Sequence, residues 1–145
     1  MYQHGMIAPI LALVIWSLVM CVWLYVLRIP AMQKAKINPQ EAALKRTLDL
    51  PPQVMWASDN YTHLMEQPTI FYAAALAGQS AGVIDAIDIG LGWTYVVLRV
   101  IHSVVHSTAN IVMLRFVIFA LSTLTLAGLV LRVTMTVFGW GGSLS

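Results

Sequence analysis

Arg99, His102 and His106 stand three and four residues apart within a long apolar stretch, so in a helix they share one face. Tyr95 precedes them on that face and Asn110 follows. An ionisable group at bilayer depth costs at least about 2.5 kcal/mol, so such a stripe must be satisfied by a partner or used for chemistry. His63 and Glu66, again three apart, open an earlier apolar run and meet the stripe at similar depth if the two helices are antiparallel. Glu66 is then the expected countercharge for Arg99.

These residue types permit three chemistries. An Arg guanidinium forks onto a carboxylate, and a cation beside a thiol lowers its pKa from about 8.5 and raises the thiolate fraction. The same groups can form an ion-pair network that only fixes helix register. His102 and His106, at i and i+4, also match a recurrent metal-ligand spacing, but no Glu follows the first His and a third ligand must come from Glu66 or His63. The site is therefore read as holding no metal, with a His-ligated metal or haem protein kept as the minor alternative.

The elements that must carry this stripe are membrane helices. Of 145 residues 59% are hydrophobic and 10% charged, with a mean hydropathy of +0.79, whereas a soluble domain is about 25% charged. Backbone polar groups in hydrocarbon must be paired within the protein, and long apolar runs without strand-like alternation select helices. The sequence predicts an all-α transmembrane four-helix bundle, a single domain over 1–145, with helices at about 6–27, 63–83, 87–109 and 113–140 and a loop at about 28–62. Four crossings leave both termini on one side.

Charge sets the expected orientation. Arg28, Lys34, Lys36, Lys45 and Arg46 lie in the loop after the first helix, whereas the loop around Asp85 and Asp88 has no basic residue. The positive-inside rule places the first and third loops in the cytoplasm and both termini outside. No Lys or Arg occurs in the first nine residues, so the basic region of a signal peptide is missing and the first helix is expected to be retained. The net charge of +2 is too small to imply a nucleic-acid partner, and the basic residues are read as topology determinants and contacts to lipid headgroups. Cys21, the only cysteine, lies mid-helix in apolar surroundings and reads as an inert thiol.

Several smaller signals complete the pattern. Asn38 and Glu41 flank a short helix start at Pro39, and Ser58–Asn60 reads as the start of the second helix. Ala74, Gly78 and Gly82 recur every four residues, a spacing that lets helix backbones approach closely in lipid. Arg132, near the outer end of the fourth helix, is expected to reach the headgroups.

The runs Asp59-Asn60-Tyr61-Thr62-His63-Leu64-Met65-Glu66-Gln67-Pro68 and Tyr95-Val96-Val97-Leu98-Arg99-Val100-Ile101-His102-Ser103 resemble the two signature stretches of the MAPEG superfamily, the membrane-associated proteins of eicosanoid and glutathione metabolism. The resemblance implies a homotrimer of four-helix protomers with glutathione held between neighbours near the cytoplasmic side. It also implies an Arg that stabilises the glutathione thiolate, which attacks a lipophilic electrophile or reduces a hydroperoxide.

By motif, Glu66 matches the glutamate that binds the glutathione amine and Arg99 the arginine opening the helix-three motif, while His102 and His106 occupy positions that are often Tyr in eukaryotic enzymes. Arg28 or Lys34 supplies a cation from the end of helix one, and Arg115 is the cation nearest to where a thiolate-activating arginine is expected. The expected catalytic set is thus Arg99, Arg115 and Arg28, and the expected glutathione-binding set is Glu66, His63, Arg99, His102, His106 and Asn110. His63 stands where the family commonly has Asn, and Asp59 where a transferase places Arg. These departures keep a second function open: a non-catalytic scaffold, accessory subunit or lipid-binding oligomer. The expected location is a bacterial inner membrane with periplasmic termini.

Overall fold

A computed structural model describes residues 5–38, 40 and 49–140. Four helices follow in order: α1 (Ile7–Lys34), α2 (Pro52–Ala81), α3 (Ala86–Ser107) and α4 (Val112–Phe138). The all-α four-helix architecture expected from the sequence is what the chain forms, and the described residues contain no strand. Most of the short helix expected at Pro39, Lys45 and Arg46 in the basic loop, and the Gly-rich tail lie outside the described residues. Asn38 Oδ1 accepts from the Gln40 N–H at 3.0 Å.

Two boundaries differ from expectation, each at a proline that the helix accommodates. α1 runs through Pro30 to Lys34, which one missing N–H near a helix end permits. α2 begins at Pro52 instead of near His63, with Pro52 at the first helical position and Pro51 before it. A proline there lacks a hydrogen that the helix could not have paired. Much of the expected loop at 28–62 is therefore helix, and Asn60 lies inside α2, fully buried, rather than at its start.

The short connections fix the topology. Gly82, at φ +70°, closes α2, its N–H on the Gln79 carbonyl and the Val83 N–H on the Gly78 carbonyl, the left-handed stop that glycine adopts without strain. Asp85 then opens α3 with a capping box: its carboxylate accepts from the N–H groups of Ile87 and Asp88, and the Asp88 side chain accepts from the Asp85 N–H. At the next turn Asn110, at φ +49°, sends its N–H to the Val105 carbonyl at 2.7 Å. Each connection reverses the chain, so α2, α3 and α4 run alternately.

α2 and α3 are the inner pair. Each touches all three other helices, while α1 and α4 do not touch among the described residues. Leu64, Phe71, Ala75, Tyr95 and Leu129 form the centre of the core, and the Phe71 and Tyr95 rings stack at 4.7 Å. Gly78 supplies the close approach expected of the small-residue series, since a Cβ there would meet Ile84 Cδ1 at 2.6 Å and Val133 Cγ2 at 3.1 Å. Gly82 has open space around it and serves the turn instead.

α1, α3 and α4 are long and apolar enough to cross a membrane. α2 spans 30 residues, about 45 Å at 1.5 Å per residue, but carries Asp59, Asn60, His63, Glu66 and Gln67 in its first half. It runs the length of the bundle: Gln79 Oε1 accepts from the Met6 N–H at one end, and Asn60 Nδ2 donates to Ser103 near the other. Leu11, Ile15, Leu18 and Val22 on α1 and Leu124 and Leu131 on α4 present exposed apolar surface, which suits contact with acyl chains.

Candidate functional site

The polar stripe of α3 faces inward. Arg99 is 0% exposed, His102 4% and His106 1%, because the opposite face of α3 carries Val97, Ile101 and Val104 toward the surface. Burying the stripe between α2 and α4 is the only way this amphipathic helix can give its apolar face to lipid.

Arg99 does not pair with Glu66. Its Nη2 donates to the main-chain carbonyl of His63 at 2.7 Å, and its Cζ lies 5.5 Å from the centre of the Phe119 ring. Nε and Nη1 are buried without an acceptor. Glu66, 62% exposed along its side chain, turns to the imidazole one turn back, its Oε2 3.3 Å from His63 Nδ1. A solvated carboxylate avoids the desolvation that burial beside the guanidinium would impose, and that cost can exceed the Coulomb gain. The expected countercharge is thus replaced by a carbonyl dipole and an aromatic face.

The three histidines come together. The His63 ring lies 5.4 Å from His106 and 6.3 Å from His102, and the latter two are 5.7 Å apart. His102 Nδ1 sits 3.2 Å from the main-chain oxygen of Arg115. A carbonyl only accepts, so Nδ1 carries the hydrogen and the neutral ring has its lone pair on Nε2. That Nε2 is buried and unpartnered, as is Nδ1 of His106. No group of three or more His, Cys, Asp or Glu among the described residues is arranged to hold a metal ion.

Arg115 enters from the first turn of α4. Its Nη1 donates to the Asn110 side chain, while its Nε is buried without a partner. Asn110, a member of the expected ligand set, forms the left-handed turn and holds Arg115. A cavity of about 220 Å³ opens beside these groups, lined by His63, His102, Val112, Arg115, Phe116 and Phe119. Arg28 stands apart on α1, a helix that does not touch α4, and its side chain makes no hydrogen bond or ion pair among the described residues.

Some members were missed in the sequence. Asn60 donates to Ser103 Oγ at 2.8 Å, and Gln67 accepts from Tyr95 OH at 3.4 Å while donating to Thr123 at 2.7 Å. The spacing of Asn60, Leu64, Gln67 and Phe71 already places them on one helical face, a signal hidden by starting α2 too late. Phe119 carries no polar signal and becomes visible only through its place over Arg99.

Arg132 is held in an ion-paired cluster. Its Nε donates to Asp88 Oδ1 and its Nη2 to Asp85 Oδ2, both at 2.7 Å. This pair lies at the opposite end of the bundle from the cavity and ties α4 to the start of α3. The Asp85 carboxyl is held below its usual value of 3.8, first by the Asp88 N–H and then by Arg132, against an opposing contribution from burial.

Comparison with curated proteins gives no match, and neither does comparison with solved structures. The family model of the MAPEG family matches residues 6–135, nearly the whole chain. With its inward polar stripe in a bundle of four helices, three of them long and apolar enough to cross a membrane, the chain belongs to the MAPEG family.

Proposed function

We propose that the cavity between α2, α3 and α4 binds glutathione and that the protein uses the bound thiolate to attack or reduce lipophilic electrophiles, as a transferase or peroxidase. The observation that carries this reading is Arg99: a fully buried guanidinium whose Nε and Nη1 have no acceptor, with Arg115 Nε unpartnered in the same region. Buried donors without partners cost about 1–3 kcal/mol each. An anion that accepts from them offsets that cost, and two cations beside a thiol favour its thiolate.

Membership of a family of glutathione and eicosanoid metabolism supports the choice of anion. Glutathione is the co-substrate in this reading, and Glu66, exposed at the protomer surface, meets its amine at a boundary between protomers of a homotrimer. An apolar groove of about 400 Å³ between α2 and α4, lined by Gln67, Ile70, Leu126 and Val130 among others, suits the lipophilic partner. The protein works in this reading as a multi-pass protein of a bacterial inner membrane, with its termini on the periplasmic face.

Calorimetric titration of glutathione into detergent-purified protein tests the proposal. Saturable binding that is lost in Arg99→Ala and weakened in Glu66→Gln is the expected result. No saturable binding to the wild type removes it. A second reading, a non-catalytic oligomer, is favoured by the bond from Arg99 to the His63 carbonyl, which ties α3 to α2 without any ligand. In that case Arg99→Ala dissociates the oligomer and glutathione has no effect on it.

A further inference from the structure

We infer that His63, oriented by Glu66, is the base that takes the proton from the bound thiol, and that Glu66 is its positioning residue. This rests on the reading of the cavity as a thiol site. His63 lines that cavity and its Nδ1 faces the Glu66 carboxylate at 3.3 Å. A carboxylate accepts only, so it selects the ring form with hydrogen on Nδ1 and a lone pair on Nε2. The arrangement is that of an imidazole base held and charge-compensated by an acid, the relation that makes histidine effective in nucleophile activation.

The step balances within the site. The S–H bond breaks and an N–H bond forms at Nε2 of His63, while the bonding pair stays on sulfur. The new thiolate lies with the guanidiniums of Arg99 and Arg115, and the new imidazolium lies against Glu66. Around His63 the charged and titratable groups are Glu66 from its own helix, Arg99, His102 and His106 from α3, and Arg115 from α4. The arginines oppose a cation on His63 before transfer. The thiolate formed in the same step offsets that repulsion with its own attraction for the imidazolium and the guanidiniums.

The other two imidazoles are poorer candidates. His102 is pinned by the Arg115 carbonyl and is 4% exposed; His106 is 1% exposed. A proton placed on either sits on a ring almost wholly out of contact with water. The His63 side chain is 40% exposed, so it can pass its proton to solvent and return to the neutral form. The backbone of the same residue accepts from Arg99, which couples the position of the base to that of the thiolate-stabilising cation.

The test uses the detergent-solubilised full chain with glutathione and with S-methylglutathione, which has no thiol proton. With each variant saturated, occupancy being set from its own S-methylglutathione titration, the ultraviolet thiolate absorbance per bound glutathione is expected to fall at least about tenfold in His63→Asn, with Glu66→Gln between it and wild type. Undiminished thiolate in His63→Asn overturns the inference. Nitrogen NMR of the histidine rings, without any ligand, is expected to show His63 Nδ1 protonated and to show that signal change in Glu66→Gln. A His63 ring with bare Nδ1, or one indifferent to Glu66→Gln, also overturns it. If neither peptide binds the wild type, the thiol reading of the cavity fails by itself, and the nitrogen spectrum still decides whether Glu66 orients His63.

Discussion

Arg99 on α3 reaches the main-chain oxygen of His63 on α2 at 2.7 Å, while the His63 ring turns to Glu66. One residue thus receives the buried cation through its backbone and the acid through its side chain. The arrangement separates two charges that would be expected to pair, and leaves the guanidinium with donors to spare.

That surplus makes a direct prediction. Replacing a buried ion by an apolar group of similar size is often neutral or stabilising by about 1–4 kcal/mol. Arg99→Met is therefore expected to leave the thermal midpoint of the solubilised protein unchanged or raised. The same variant is expected to lose about 1.5–3 kcal/mol of glutathione binding, a ten- to hundredfold weakening seen by calorimetry. A lowered midpoint with unchanged binding shows a structural arginine instead.

Asn110 separates turn geometry from ligand support. Asn110→Gly keeps the left-handed backbone at φ +49° but releases Arg115. Its stability should stay close to wild type while glutathione affinity falls. Asn110→Ala adds left-handed strain of about 1–2 kcal/mol, so a fall in thermal midpoint from Gly to Ala at this position measures the turn alone.

At the other end of the bundle, Arg132→Leu strands Asp88, whose side chain is 4% exposed. The expected loss is about 1–3 kcal/mol, read as a lower thermal midpoint at neutral pH. The pH dependence has a definite sign. Asp85 is held below 3.8, so its contribution is complete above that unfolded value and is lost as pH falls through the lower folded value. Melting curves of wild type and Arg132→Leu should therefore converge on acidification.

Gly78 and Gly82 have the same residue type and opposite sensitivity. Gly78→Val drives new atoms into Ile84 and Val133 and is expected to cost about 1–3 kcal/mol through overpacking. Gly82→Asn meets open space and a left-handed turn that asparagine tolerates, so its denaturation midpoint should stay near wild type.

The sequence by itself determined that the chain is helical and membrane-bound, because hydrocarbon requires every backbone polar group to be paired and the apolar runs are too long for anything else. It also determined the stripe of Arg99, His102 and His106, since helical spacing is a local property, and the family to which its motifs belong. It did not determine where α2 begins, because Pro51 and Pro52 read equally well as a break or as a helix start. It could not determine whom Arg99 meets. Opposite charge made Glu66 the natural partner, but the partner of a buried cation depends on depth, helix rotation and desolvation together. Only the packing of α2 against α3 and α4 shows a carbonyl and an aromatic ring at that guanidinium, with the acid left in reach of water.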